Sequence, residues 1–149
     1  MKRRSLPTVI KLALAARMSQ AAVDRAAVMG ALVSAAVVDQ GGHLVHFQRM
    51  DKAEIAGPTL AVDKAFTAVA HRIETAELAA LTQPGANLWG LHANGGGRYV
   101  VFGGGIPCWH DGLVVAAVGV SGGTAEEDVE CARAGLAIFE AFLADRLAE

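Results

Sequence analysis

Three histidines carry the most versatile chemistry in this chain. The imidazoles of His43, His46 and His92 can move protons near neutral pH or bind a metal through a ring nitrogen. His43 and His46 are three residues apart in a predicted strand, where side chains alternate between faces, so one subunit cannot chelate one metal with both. A haem iron needs only one or two axial protein ligands. Each histidine is therefore a candidate haem or metal ligand on its own.

Two further segments are candidate anion sites. The guanidinium of Arg49, at the end of the same predicted strand, can bind a carboxylate or a haem propionate through two hydrogen bonds. An ion pair of Arg49 with Asp39 or Asp51 is the alternative. Ser121-Gly122-Gly123 precedes a predicted helix whose first backbone N–H groups could face an anion, and a plain tight turn into that helix is the alternative.

Composition narrows the class of protein. The 149 residues are 53% hydrophobic and have a formal net charge of -2, which favours one packed domain over residues 1–149 and gives no basic field to attract nucleic acid. No apolar run is long enough to cross a membrane, and no secretory apolar core follows the N-terminus, so we expect a cytoplasmic protein. Cys108 and Cys131 are expected to be reduced, buried thiols.

The elements that must position these residues follow from periodicity and turn residues. Apolar spacing and caps predict helices, and alternating or β-branched runs predict strands joined mostly by hairpins. The expected fold is α+β, an antiparallel sheet covered by helices. Val62, Phe66, Val69 and Ile73 are expected in the core, whereas the polar stripe containing Lys64 and Thr67 is explained equally well as a solvated face. The predicted helices are 6–29, 58–71, 74–81 and 124–147, the strands 33–39, 43–49, 99–102, 106–109 and 113–120, and the long loop 82–98.

A set of short motifs, taken in order, gives a more specific indication. They are Val37-Val38-Asp39-Gln40-Gly41-Gly42-His43-Leu44-Val45, Arg49-Met50-Asp51, Lys64-Ala65-Phe66-Thr67-Ala68, Gly104-Gly105-Ile106-Pro107 and Gly119-Val120-Ser121-Gly122-Gly123 with Asp128. In this order and spacing the chain resembles the GlcG/HbpS family, which includes the C-terminal domain of PduO-type proteins, over about residues 8 to 140. The resemblance implies a profilin-like fold with a five-stranded antiparallel sheet flanked by helices. It also implies homo-oligomers, often of four or eight subunits.

Two functional hypotheses follow. In the first, implied by the resemblance, the chain binds haem, with possible haem degradation or redox sensing. His43, His46 or His92 would then ligate iron, and Arg49 or Lys64 would pair with propionates. The aromatic side chains assigned to the haem slot are Phe47, Trp89, Phe102 and Trp109.

The alternative is an enzyme acting on a small carboxylate-bearing or hydroxylated metabolite. Arg49 and the Ser121-Gly122-Gly123 backbone would hold the anion, while Asp39 or a histidine moves a proton and Lys64 completes the polar site. This hypothesis requires Asp39, Arg49, Lys64 and Ser121 to gather at one place. A scaffold without chemistry stays open as a third possibility.

Overall fold

A computed structural model describes residues 10–147. Its helices and strands follow each other in an order that begins and ends with a helix. Two short 3-10 turns, Leu91–Ala93 and Gly95–Gly97, interrupt the long connection after the third helix. The elements are α1 (Leu12–Met29), β1 (Ser34–Asp39), β2 (Leu44–Arg49), α2 (Gly57–His71), α3 (Thr75–Leu81), β3 (Gly105–His110), β4 (Leu113–Ser121) and α4 (Ala125–Leu147).

The four strands in the described part of the chain form one antiparallel sheet in the order β2-β1-β4-β3. Because side chains alternate along a strand, the sheet has two covered faces. Val37 of β1 belongs to the larger core beneath α1 and α4, whereas the next residue, Val38, contacts Ala65 and Ala68 of α2. The predicted α+β architecture, an antiparallel sheet flanked by helices, is confirmed.

The prediction of five strands is wrong. Residues 99–102 were expected to form a strand, yet they run outside the sheet. The N–H of Val100 donates to the Oγ1 of Thr67 on α2 at 3.0 Å. The segment is therefore fastened to a helix side chain, and the four-stranded sheet ends at β3. The profilin-like description stays a prediction.

Local signals place most helix ends correctly. α1 ends at Gly30, whose φ of 74° is the left-handed conformation that glycine adopts most readily. Its first residue is Leu12 rather than residue 6, because Lys11 is extended; Pro7 lies outside the described residues. At the start of α4, the Thr124 Oγ1 accepts the Glu127 N–H and the Glu127 carboxylate accepts the Thr124 N–H, as the capping-box prediction requires.

α2 contacts the sheet through a different stripe from the one predicted. Its buried residues include Ala61, Lys64, Ala65, Thr67 and Ala68, whereas Val62, Phe66, Val69 and Ile73 are only partly buried. The helix lies so close to the sheet that a Cβ at Gly119 would collide with the backbone of Ala61, and one at Gly105 with the backbone of Lys64. Small residues in both layers thus set the spacing, and the polar stripe is not a solvated face.

Both cysteines behave as buried apolar groups. Cys108 and Cys131 are free and buried, as predicted. Burial raises the pKa of the Cys108 thiol to about 12 and that of the Cys131 thiol to about 11. In the same described range, no helix has both the length and the apolar character that a membrane crossing requires.

Candidate functional site

Lys64 forms a buried ion pair with Asp128, which joins α2 to the first turns of α4. Lys64 is 1% exposed and Asp128 2% exposed. The Lys64 Nζ donates to Asp128 Oδ2 and to the Val120 carbonyl, both at 2.9 Å, and faces the Phe102 ring at 5.1 Å. Burial lowers the pKa of Lys64 and raises the pKa of Asp128, each opposed by the charge of the other. Two of the three ammonium donors have hydrogen-bond partners, and the ammonium is buried against the Phe102 ring, so it is not accessible to a propionate or a substrate.

The predicted anion site before α4 already holds an anion, which is the chain's own Asp128. The Asp128 Oδ1 accepts the N–H of Gly123 at 2.9 Å, and the backbone N–H groups of Gly123 and Gly122 oppose the rise in its pKa that burial causes. Gly122 has a φ of 145°, and a Cβ there would collide with the Leu32 carbonyl. The Ser121-Gly122-Gly123 turn therefore recognises a side chain of its own helix, and Ser121 itself is buried.

Asp39 shapes the β1–β2 hairpin. Its Oδ1 accepts the N–H of Gly41 at 2.9 Å and of His43 at 3.0 Å. Along β1, Ser34 pairs with both Arg49 and Ser121, whereas Asp39 pairs with Ala116 at the other end. Five residue steps of a strand cover ~17 Å. The expected gathering of Asp39 with Arg49 and Ser121 is therefore wrong.

Arg49 is exposed and bonded locally. Its Nη2 donates to the carbonyl of Ala53 at 2.7 Å, across the turn that follows β2. Within residues 10–147, Arg49 forms no ion pair with Asp39 or Asp51. Its separation from Asp39 along the sheet excludes the first of these pairs in this fold.

The aromatic residues assigned to a haem slot do not form one slot. Phe47 lies on β2 and Trp109 on β3, the two outer strands of the sheet. Three interstrand spacings separate them by ~14 Å. Phe102 contacts Lys64, and Trp89 lies in the long loop, 60% exposed. Within one subunit the four residues therefore line no common slot, because they belong to elements that the sheet order separates.

The histidines lie in different settings. His43 is exposed in the hairpin beside Gly41, and His92 is exposed in a 3-10 turn with its ring edge-on to Trp89 at 5.8 Å. His71, at the end of α2, has its ring edge-on to Tyr99 at 4.4 Å. Within the described residues, no three or more His, Cys, Asp or Glu side chains come together as a metal site. Each histidine is therefore assessed as a single ligand and not as part of a metal-binding cluster.

His46 differs from the others because the protein orients its ring. The His46 Nδ1 lies 2.6 Å from the Oγ of Ser19 on α1. The Ser19 hydroxyl donates to the Ala16 carbonyl at 3.1 Å, and its Oγ accepts from Gln48 Nε2 at 3.1 Å. The hydroxyl has one proton. When that proton is donated to the Ala16 carbonyl, the Nδ1 of His46 is the donor and Nε2 keeps a lone pair, whereas donation to Nδ1 places the ring proton on Nε2. In both cases the Nε2 has no hydrogen-bond partner among the described residues.

His46 lines an open groove between α1 and β2, which we call the His46 groove. Its volume is about 490 Å³, within the range of small-molecule sites. A metal-binding histidine commonly donates its second ring N–H to a fixed acceptor, and the Ser19 Oγ lies in the position of such an acceptor. Sequence reasoning missed Ser19, although it is a lone polar residue among the buried alanines of α1. The groove is lined by Ala16, Arg17, Gln20, Ala21, Asp24, His46, Gln48 and Ile138.

A family model described as "Haem degrading protein HbpS-like" matches residues 10–137. The chain belongs to this HbpS-like family. The predicted family is confirmed, and the description of this family names haem degradation.

Known proteins support the same assignment. An uncharacterized 15.0 kDa protein from the dhaT-dhaS intergenic region of Citrobacter freundii is 42% identical over 87% of this chain and 92% of its own length. The corrinoid adenosyltransferase PduO of Salmonella typhimurium is 39% identical over 81% of this chain, but the match spans only 36% of that longer protein. The crystal structure of a PduOC:haem complex shares 36% identity and a TM-score of 0.84, covering 88% of this chain and 95% of its own.

Proposed function

We propose that this HbpS-like protein binds haem in the His46 groove, where the Nε2 of His46 would hold the iron. The observation that carries the haem assignment is the likeness to the PduOC:haem complex, at 36% identity and a TM-score of 0.84. The observation that selects His46 is the 2.6 Å contact between its Nδ1 and the Ser19 Oγ, which orients the ring and leaves Nε2 without a hydrogen-bond partner among the described residues. Neither exposed histidine, His43 or His92, has a comparable anchor among the described residues.

The residues around the groove fit an amphipathic macrocycle. Ala16, Ala21 and Ile138 supply apolar surface that would exclude water from one face of the ring. Arg17 is exposed at the groove and forms no ion pair within residues 10–147, so it is the cation we assign to a propionate. Lys64 is excluded from that task because Asp128 and Val120 occupy its ammonium. When bound, haem supplies one-electron and O₂ chemistry, and haem degradation or redox sensing would use it.

The assembly and compartment complete the proposal. We infer a homo-oligomer, of four or eight subunits as the resemblance implies, in which a second subunit covers the open side of the His46 groove. β2 is an outer strand, and an unpaired strand edge next to the groove favours an interface there. The exposed side chain of Leu44 lies on the α2 face instead and does not bear on the groove. The two free, buried thiols favour the reducing cytoplasm.

A hemin titration of the apoprotein, followed by the Soret band, tests the proposal. We expect a saturable shift with the wild-type protein, retained in His43→Ala and His92→Ala and lost in His46→Ala. These three variants remove the same side chain from different places, so the first two control for general effects of histidine loss. Absence of a saturable wild-type shift would contradict haem binding. Loss of the shift in His43→Ala or His92→Ala, with retention in His46→Ala, would overturn the assignment of the ligand alone.

A further inference from the structure

A second concave site lies at one end of the molecule, where the start of α1, the last turns of α4 and the β3–β4 hairpin meet. This end cavity has a volume of about 110 Å³. It shares no lining residue with the His46 groove, so it is independent of the proposed haem site. It is lined by Ile10, Lys11, Ala13, Leu14, His110, Val115, Phe139, Phe142, Leu143 and Arg146.

The wall of the end cavity is apolar, and the charged or titratable groups that line it among the described residues, Lys11, His110 and Arg146, are all basic. Leu14, Val115 and Phe139 are buried and form its deep side. Lys11 and Arg146 are exposed, and neither forms an ion pair within residues 10–146. An apolar interior beside unpaired cations complements a molecule with a hydrocarbon chain and an anionic head.

The remaining basic group has an acidic neighbour. The Nε2 of His110 lies 3.4 Å from a carboxylate oxygen of Asp111, which is 87% exposed. Because Asp111 is directed to His110, the cations that remain for an anionic head are Lys11 and Arg146. The guanidinium of Arg146 lies 5.5 Å from the Phe142 ring, next to the apolar wall.

We propose that the end cavity binds a small aliphatic carboxylate, with its hydrocarbon chain among Leu14, Val115 and Phe139 and its carboxylate at Arg146 and Lys11. The size follows from the volume, because a dry cavity of ~150 Å³ holds a benzene-sized group. A cavity of about 110 Å³ accepts a chain of slightly smaller size. The ligand class is therefore a monocarboxylate with roughly four to six carbons.

Calorimetric titration of the full-length protein with butanoate, hexanoate, octanoate and hexan-1-ol tests both parts of the site. Each methylene that enters the cavity raises affinity by up to about fourfold, so hexanoate should bind more tightly than butanoate. Octanoate should gain little more, because its end would not fit. Hexanoate should bind about fivefold more tightly than hexan-1-ol, the expected contribution of an exposed ion pair.

Two variants at exposed positions separate the head from the chain. Arg146→Gln should remove the preference for hexanoate over hexan-1-ol, whereas Ala13→Leu should weaken binding of both by filling the cavity. Hemin titration of the same variants should be unchanged, since neither residue lines the His46 groove. Absence of hexanoate binding would overturn the proposal, as would full hexanoate affinity in Ala13→Leu or an unaltered preference for hexanoate in Arg146→Gln.

Discussion

Two polar clusters on opposite faces of the sheet differ in whether their hydrogen-bonding capacity is used up. On the α2 face, Lys64 and Asp128 are buried, and the ammonium is enclosed by Asp128, the Val120 carbonyl and the Phe102 ring. On the α1 face, Ser19, itself bonded by Gln48, contacts one nitrogen of His46, and the other nitrogen has no hydrogen-bond partner among the described residues. Both clusters join a helix to a strand or its end, but only the second has an atom left to bind a ligand.

The comparison shows why residue type alone misidentifies a site. Lys64 and the Ser121-Gly122-Gly123 turn carry donors suited to an anion. In the structure these donors bind the carboxylate of Asp128. His46 has no special sequence motif around it, yet its ring is oriented by a neighbour on another element. A functional assignment therefore depends on which donor, acceptor or metal-ligating atoms remain without a partner once the protein has folded.

Breaking the ion pair between Lys64 and Asp128 should lower the unfolding free energy more than any other change proposed here. Lys64→Ala would leave the Asp128 carboxylate buried without its cation, which typically costs about 3–5 kcal/mol of unfolding free energy. Chemical denaturation with urea at neutral pH measures this loss. The double variant Lys64→Met with Asp128→Asn removes both charges and keeps an oxygen for the Gly123 N–H, so it should recover much of the stability. A loss below about 1 kcal/mol in the single variant would show that the pair is not a stabilising contact.

Much of this fold is encoded in short segments. Gly30 ends α1, and the capping box of Thr124 and Glu127 begins α4, as their residue types predict. The hairpin turn likewise depends on Asp39 and its neighbouring glycines. These features are local, so spacing along the chain is sufficient to find them.

What the sequence could not provide depends on contacts between distant segments. Lys64 and Asp128 are 64 positions apart, and Ser19 and His46 are 27 apart. The periodic spacing of apolar residues within one helix carries no information about such long-range contacts. For this reason Lys64 was interpreted as part of a solvated stripe. The missing fifth strand has the same cause, because Val100 bonds a threonine on α2 instead of a neighbouring strand.

A smaller effect is expected at the contact between Ser19 and His46. Ser19→Ala removes the group that orients His46, and loss of such a supporting contact typically weakens metal binding by about tenfold or more. Hemin affinity, measured from the Soret titration, should fall accordingly. Ser34→Ala is the matched control, because the Ser34 Oγ is buried and has no hydrogen-bond partner within residues 10–147. Equal hemin affinity in the two variants would show that Ser19 does not support a ligand.

Chemical rescue with imidazole shows whether the Nε2 of His46 binds the haem iron. In His46→Gly, the Soret shift on adding hemin should be absent and should return when imidazole is supplied, because the small ring can replace the missing ligand. Hemin with imidazole alone, and His43→Gly under the same conditions, provide the reference spectra. Imidazole should restore the Soret shift in His46→Gly, whereas His43→Gly should show the shift without imidazole. A wild-type hemin spectrum in His46→Gly without imidazole would contradict binding of the iron by His46.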